Sequence, residues 1–329
     1  MLNIEVAELM ETEGKLMEFS QKVKHNIVLN AEEKEIASVV DAWAKEIGNG
    51  KKDAYELAQY ITKIVEPEVY NAPDEILDAL FDRGSIGEFD NEQIVTNAKN
   101  TLNAIESAKN GNVDKSYIDY TALAPTWRHI QIETEVSMEK LRKGGYKTVA
   151  ELTTFAEEAF KNKMFYMVFT AIDTAITAPS TQGFTCATAV TVLAADDASG
   201  YMLDRGQSPT LIGLSTLIRP MYKMTGYSTY QSEAMKDELN KYGILGMYNG
   251  VKLVPISAAK KLADGTTPLL PVNRLIGISD KVGILDMKGS MRALQTPDNN
   301  REVINLKLTG FEFGYAFNKI ENACKIAIT

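Results

Sequence analysis

Histidine is scarce in this chain: His25 and His129 are the only two among 329 residues. Imidazole is the commonest acid–base group near neutrality and a frequent metal ligand. Its scarcity nearly excludes histidine pairs and multi-histidine metal sites. His25 falls in a polar helical pattern and reads as solvated, while His129 flanks a strand. Carboxylates are the remaining candidates. Glu133 and Glu135 share one strand face, and Asp196-Asp197 sit together on a helix. Such pairs can move protons or hold a metal, but adjacent acids on surface elements are ordinarily solvated faces. Asp204-Arg205-Gly206 reads as a turn.

Nucleophile and phosphate motifs fail on spacing. Lys143-Gly-Gly-Tyr-Lys-Thr148 has the residue types of a phosphate loop at the wrong intervals. Gly213-Leu-Ser-Thr-Leu217 lacks the second glycine of a nucleophile elbow. Cys186 and Cys324 lie far apart with no partner pattern and read as reduced, buried thiols. The expectation is therefore no catalytic, cofactor-binding or metal residue, no cofactor, and no enzyme.

Composition narrows the class further. Hydrophobic residues make up 45% and charged residues 24%, the balance of an ordinary globular protein with a large core. The net charge of −9 is concentrated at the start, where residues 1–110 hold 11 Lys and Arg against 22 Asp and Glu. An acidic chain without a basic stripe argues against a dedicated DNA-binding protein. It leaves room for one that merely encloses nucleic acid. The start, Met1-Leu-Asn-Ile-Glu-Val6, lacks a basic stretch before an apolar core, so no signal peptide is expected. No apolar run reaches the roughly 20 residues of a membrane span; the nearest, Met164 to Ile176, is broken by Asp173.

The elements that carry these residues follow from periodicity. Residues 4–28 have apolar positions at helical spacing, and Glu32 to Ile47 forms a second helix stopped by Gly48-Asn-Gly50. A third, from Asp53 to Val65, ends before Pro67, and a short fourth starts at Pro73. Sparse large residues give this region a thin core, which favours an arm packing on neighbouring copies. Residues 84–126 are polar, with few large aliphatics, and read as an outreaching loop. Trp127 to Val136 alternates as a half-buried strand. Thr148 and Glu151 have capping-box spacing, and an apolar stripe then runs through Val149, Leu152, Phe155, Phe160, Met164, Val168, Ile172 and Ala175. That is a helical rod of roughly 40 Å.

Beyond Pro179 the pattern is α+β. Helices are expected at Ala187–Leu203 and Ser232–Tyr242. Thr210–Leu214 begins a buried strand or helix edge; strands are expected at Gly250–Pro255, Arg274–Ser279 and Gly283–Met287, with a long strand pair over Glu302–Thr329.

This order of parts resembles the major capsid protein family of tailed bacteriophages, the Hong Kong 97-type shell fold, over about residues 84–329. The resemblance rests on the outreaching loop, strand, long spine helix, strand-turn Tyr248-Asn-Gly-Val-Lys-Leu-Val-Pro255, short strands near Leu275 and Ile284, and the alternating C-terminal strand. It implies five parts: a helical N-terminal arm (1–83), an extended loop (84–137) and a peripheral domain with the spine helix (138–185). An axial domain (186–290) and C-terminal strands returning to the peripheral domain (291–329) complete them. It also implies self-assembly into hexamers and pentamers of an icosahedral head around double-stranded DNA, without sequence-specific binding. Portal, scaffold or decoration proteins would be further partners, with no membrane. The chain would be made in the host cytoplasm and end in the virion. Some members crosslink through a Lys and an Asn; Lys99, Lys109 and Lys115 lie in the loop, but no motif licenses a bond. An encapsulin-type compartment shell and a motif-less carboxylate enzyme stay open as alternatives.

Overall fold

The computed structural model describes residues 13–25, 27–51, 54–70, 75–88, 122–206, 208–224 and 246–329, with a few further positions between 90 and 118. Four helices come first: α1 (Glu13–Lys24), α2 (Ala31–Gly48), α3 (Tyr55–Tyr70) and α4 (Glu75–Leu80). A reciprocal capping box starts α2. The Asn30 side chain accepts from the Glu33 amide at 2.8 Å, and the Glu33 carboxylate accepts from the Asn30 amide at 2.7 Å. The expected stop before Pro67 does not occur, because α3 continues to Tyr70 with Pro67 inside it. Val65 and Val69 are both buried on either side of the proline, so packing of the last turn outweighs the lost backbone hydrogen bond.

A thin, separate core for these helices was the second expectation to fail. Trp43, Ile47, Ile61 and Val65 join one continuous core with Phe160, Phe311 and Phe313. Tyr70 reaches across to stack on Phe311 at 5.8 Å and to donate to the Gly289 carbonyl at 2.8 Å. The helices thus cover a sheet of their own chain. Their apolar residues look sparse in sequence because each helix contributes only a stripe to a shared layer.

That sheet has five strands in the order β1 (Phe81–Ile86), β11 (Gly283–Asp298), β12 (Val303–Ala316) and β4 (Thr126–His129), with β5 (Ile132–Ser137) also on β12. The strand expected over 127–136 is therefore two segments, both antiparallel to β12. A two-stranded pair, β2 (Ile94–Val95) with β3 (Ala122–Leu123), lies at the base of the expected loop. The ends of that loop, β1 and β4–β5, belong to the sheet; most of its interior lies outside the described residues.

Helices α5 (Met138–Gly144) and α6 (Tyr146–Ala175) meet at a corner where Gly145 adopts φ +53. A Cβ there would collide with the Asp41 carboxylate of α2, so the corner requires glycine. The capping box expected at Thr148 and Glu151 does not form. The helix begins two residues earlier, and Thr148 donates its hydroxyl to the Lys140 carbonyl at 3.3 Å. Asp41 takes the capping role from another helix, accepting from the Tyr146 amide at 3.4 Å. The rod itself is as expected, with Val149, Phe160, Met164, Val168 and Ile172 buried, but Phe155 is 64% exposed.

A second sheet has six strands, in the order β6 (Gly183–Cys186), β13 (Ala323–Ile328), β10 (Arg274–Ile278), β7 (Thr210–Leu214), β9 (Val251–Ile256) and β8 (Met247–Tyr248). Helix α7 (Val192–Leu203) packs on it. That helix starts five residues after Ala187, where the Thr191 hydroxyl accepts from the Ala194 amide at 3.3 Å. The helix expected over Ser232–Tyr242 lies outside the described residues.

The C-terminal strand pair is corrected by this topology. β12 and β13 are consecutive but sit in different sheets, so residues 291–329 do not return to one domain as a unit. Strand β12 alternates in burial, as a strand with one covered face must; β13 is buried at all six positions, as an interior strand covered on both faces must be. Likewise β10 and the strand at Gly283 are split between the sheets.

Candidate functional site

The residues whose chemistry drew attention take structural roles. The Asp196 carboxylate accepts from the Tyr248 hydroxyl at 2.7 Å and from the Asn249 side-chain amide at 2.6 Å, which fastens α7 to the β8–β9 turn. Asp197 is exposed beside it. Glu133 and Glu135 share the exposed face of β5, and Glu135 takes both arms of the Arg301 guanidinium, at 2.8 and 3.0 Å. His129 lies 3.0 Å from the Thr309 hydroxyl across the strand pair, and His25 is exposed just after α1. Arg205 lies over the Tyr201 ring at 3.7 Å in the turn that ends α7. Cys186 and Cys324 are free and buried; burial pushes the Cys324 thiol up to about 12, far from reactivity. Among the described residues no three His, Cys, Asp or Glu side chains gather as a metal site. No described helix is long and apolar enough to cross a membrane.

Two ionic joints hold the long helix α6 in place. Near its middle, Glu157 receives Lys161 at 2.7 Å and Lys24 of α1 at 3.4 Å. Glu68 of α3 lies within 3.6 Å of the same Lys161 and accepts from Gln21 of α1 at 2.8 Å. At its C-terminal end, Asp173 takes the buried Lys325 of β13 at 3.0 Å and Arg274 of β10 at 3.4 Å. The residue that broke the apolar run in the sequence is thus the link from the spine helix to the second sheet. Lys325 also donates to the Asp173 carbonyl at 2.7 Å, where a cation complements the C-terminal end of the helix dipole.

What remains unexplained by intramolecular packing is exposed apolar surface. A groove of about 420 Å³ lies between the end of α1 and the start of α6, bordered by Val23, Ile27, Leu29, Tyr146 and Phe155. A second, of about 570 Å³, runs along the other half of α6 against β12, bordered by Met167, Ala171, Tyr315 and Phe317. Leu193 and Leu203 at the two ends of α7 and Met247 of β8 are also exposed, Leu193 by 72%. Exposed apolar surface such as lines the two grooves marks contacts between proteins. Sequence periodicity had counted Phe155 into the core stripe; only its place at the rim of a groove shows otherwise.

The comparisons with known proteins agree with a contact-building molecule. A family model described as "SPbeta prophage-derived putative capsid protein YonB" matches residues 9–320. Among solved structures, the mature capsid of bacteriophage PhiM1 is similar with a TM-score of 0.50 at 12% identity, over 75% of this chain and 85% of that one. The satellite phage P4 procapsid with its size determination protein has a TM-score of 0.50 at 9% identity, over 82% and 90%. At such identities the likeness shows the fold. No curated protein matches the sequence.

Proposed function

The chain belongs to the SPbeta prophage-derived capsid protein family, and from that premise we propose how it works as the major capsid protein of a tailed-phage-type head. It is a structural protein and not an enzyme. Copies of it join as hexamers and pentamers into an icosahedral shell of Hong Kong 97 type that encloses double-stranded DNA. The carrying observation is that the family match takes in the N-terminal helices, the spine helix, the whole first sheet and every strand of the second sheet except β13.

The division of labour follows from the architecture. The five-stranded sheet with the long helix α6 serves as the peripheral domain, and the six-stranded sheet with α7 as the axial domain that meets around the symmetry axes. Residues 84–137, whose two ends are strands of the first sheet, serve as the extended loop that lies on a neighbouring copy. A closed shell asks one subunit for several different interfaces. Two grooves and the exposed leucines of α7, on separate parts of the molecule, provide them. Each contact is of modest size, and stability comes from their number. The acidic balance suits a wall that encloses DNA without gripping it. Portal, scaffold or decoration proteins complete the particle, which is built in the host cytoplasm.

The test is to express the full chain alone and examine it by negative-stain electron microscopy and light scattering. Closed particles or curved sheets tens of nanometres across are expected. A chain that stays monomeric even when supplied with its scaffold partner refutes the shell reading.

A further inference from the structure

Beyond these apolar surfaces, one row of register-matched residues crosses the first sheet: Gly84 on β1, Asp286 on β11, Gly314 on β12 and Trp127 on β4. Because side chains alternate along a strand, this row lies on the face opposite the core residues Leu285, Met287 and Phe313. Asp286 is nevertheless only 7% exposed. Among the described residues its carboxyl has no hydrogen-bond donor and no ion-pair partner. Burial pushes it above the ordinary aspartate range, and no neighbouring cation opposes the shift.

The surroundings are shaped to this carboxyl. It leans over Gly84, where any Cβ would collide with its oxygen. On the other side the Trp127 ring covers Gly314, 2.7 Å from where a Cβ would stand. Lys288, two residues along on the same face, lies over the Trp127 ring at 5.7 Å from its centre and not on the carboxyl. The Trp127 indole N–H in the same row is buried and has no acceptor among the described residues. A floor of glycine backbone, an indole wall and a buried acid make a trough with no counter-charge among the described residues. Buried charges elsewhere in proteins are paired.

We propose that this trough receives the cationic side chain, lysine or arginine, of a second copy of this chain at a contact between shell subunits. The inference rests on the shell reading above. A single carboxyl offers one charge and few oxygens, which suits an ammonium or guanidinium; a divalent metal asks for several such ligands. The occupant is assigned to another copy because, among the described residues, the chain's own cations leave the carboxyl unpaired. The consequence is a trade. In the free subunit Asp286 is an uncompensated buried acid and lowers stability, and in the shell it becomes half of a desolvated ion pair that locks the contact.

The experiment uses the full chain with Asp286→Asn and, separately, Gly84→Ala, which keeps the charge but displaces the carboxyl. Urea unfolding of the dispersed subunit and particle yield by light scattering are measured for each. Asp286→Asn is expected to raise the unfolding midpoint of the dispersed subunit while lowering particle yield at least tenfold, and Gly84→Ala to lower the yield as well. A lower midpoint for Asp286→Asn would show that the carboxyl serves its own chain, and particles equal to wild type would show that no copy uses it; either overturns the site. A wild-type chain that forms no particles under any condition refutes the shell reading first, and the site with it.

Discussion

Asp173 shows how a residue that looks like a flaw in the sequence becomes a joint in the fold. A carboxylate in the last turns of an apolar helix reads only as the reason the run cannot span a membrane. In the structure it is the partner of Lys325, whose ammonium is almost wholly buried at the base of the second sheet. Removing one member of a buried pair leaves the other uncompensated. Asp173→Ala is therefore expected to destabilise the subunit by about 2–4 kcal/mol, read as a lowered urea midpoint. A loss within experimental error would mean that the Asp173 carbonyl alone satisfies Lys325. Gly145 makes the complementary point, since its positive φ and the approach of Asp41 are invisible in the run Lys143-Gly-Gly-Tyr-Lys-Thr148. The last residue of that run, Thr148, opened the expected capping box with Glu151. The box did not form, because the amide that needed capping was met from α2, about a hundred residues away in sequence.

At the scale of elements, α1 is held to the body of the subunit by the buried Leu16 and Phe19 and by the polar cluster around Glu157. Burial works to raise the Glu157 carboxyl, but the ammoniums of Lys161 and Lys24 outweigh it and leave it below the ordinary glutamate range. A carboxyl lowered on folding adds stability that is complete above its unfolded pKa and is lost as pH falls through its folded one. Acidification below the ordinary glutamate range is thus expected to loosen α1 before the core unfolds. Limited proteolysis with an acid-tolerant protease, followed over falling pH, should show cleavage between α1 and α2 first. Glu157→Gln should make that cleavage appear already at neutral pH. Simultaneous loss of α1 and the two sheets would refute the ordering. Leu16 and Phe19 are buried too, so the polar cluster sets the pH of release while those two residues set its extent.

At the scale of the whole molecule, shell building predicts that folding and assembly are separable. Deleting residues 88–110 is expected to leave a subunit with the unfolding midpoint of the full chain and no particles by light scattering. An unfolded product would mean that the segment belongs to the core. The periodicities that came from local chemistry were legible in the sequence: a 30-residue helix, a strand-rich second half, an acidic helical start and the absence of a catalytic motif. These depend on side-chain spacing along one element, and spacing is written in the chain. The order of those elements was enough to suggest a phage shell, a family that the match over residues 9–320 shows. What the sequence alone could not decide is which strands share a sheet, because β12 and β13 are neighbours in the chain and strangers in space. Nor could it show that the N-terminal helices cover their own sheet, that Phe155 faces outward, or that Asp286 is buried without a partner among the described residues. Each of those is a matter of what lies opposite a residue, and burial against a distant segment is decided only when the whole chain has closed around its core.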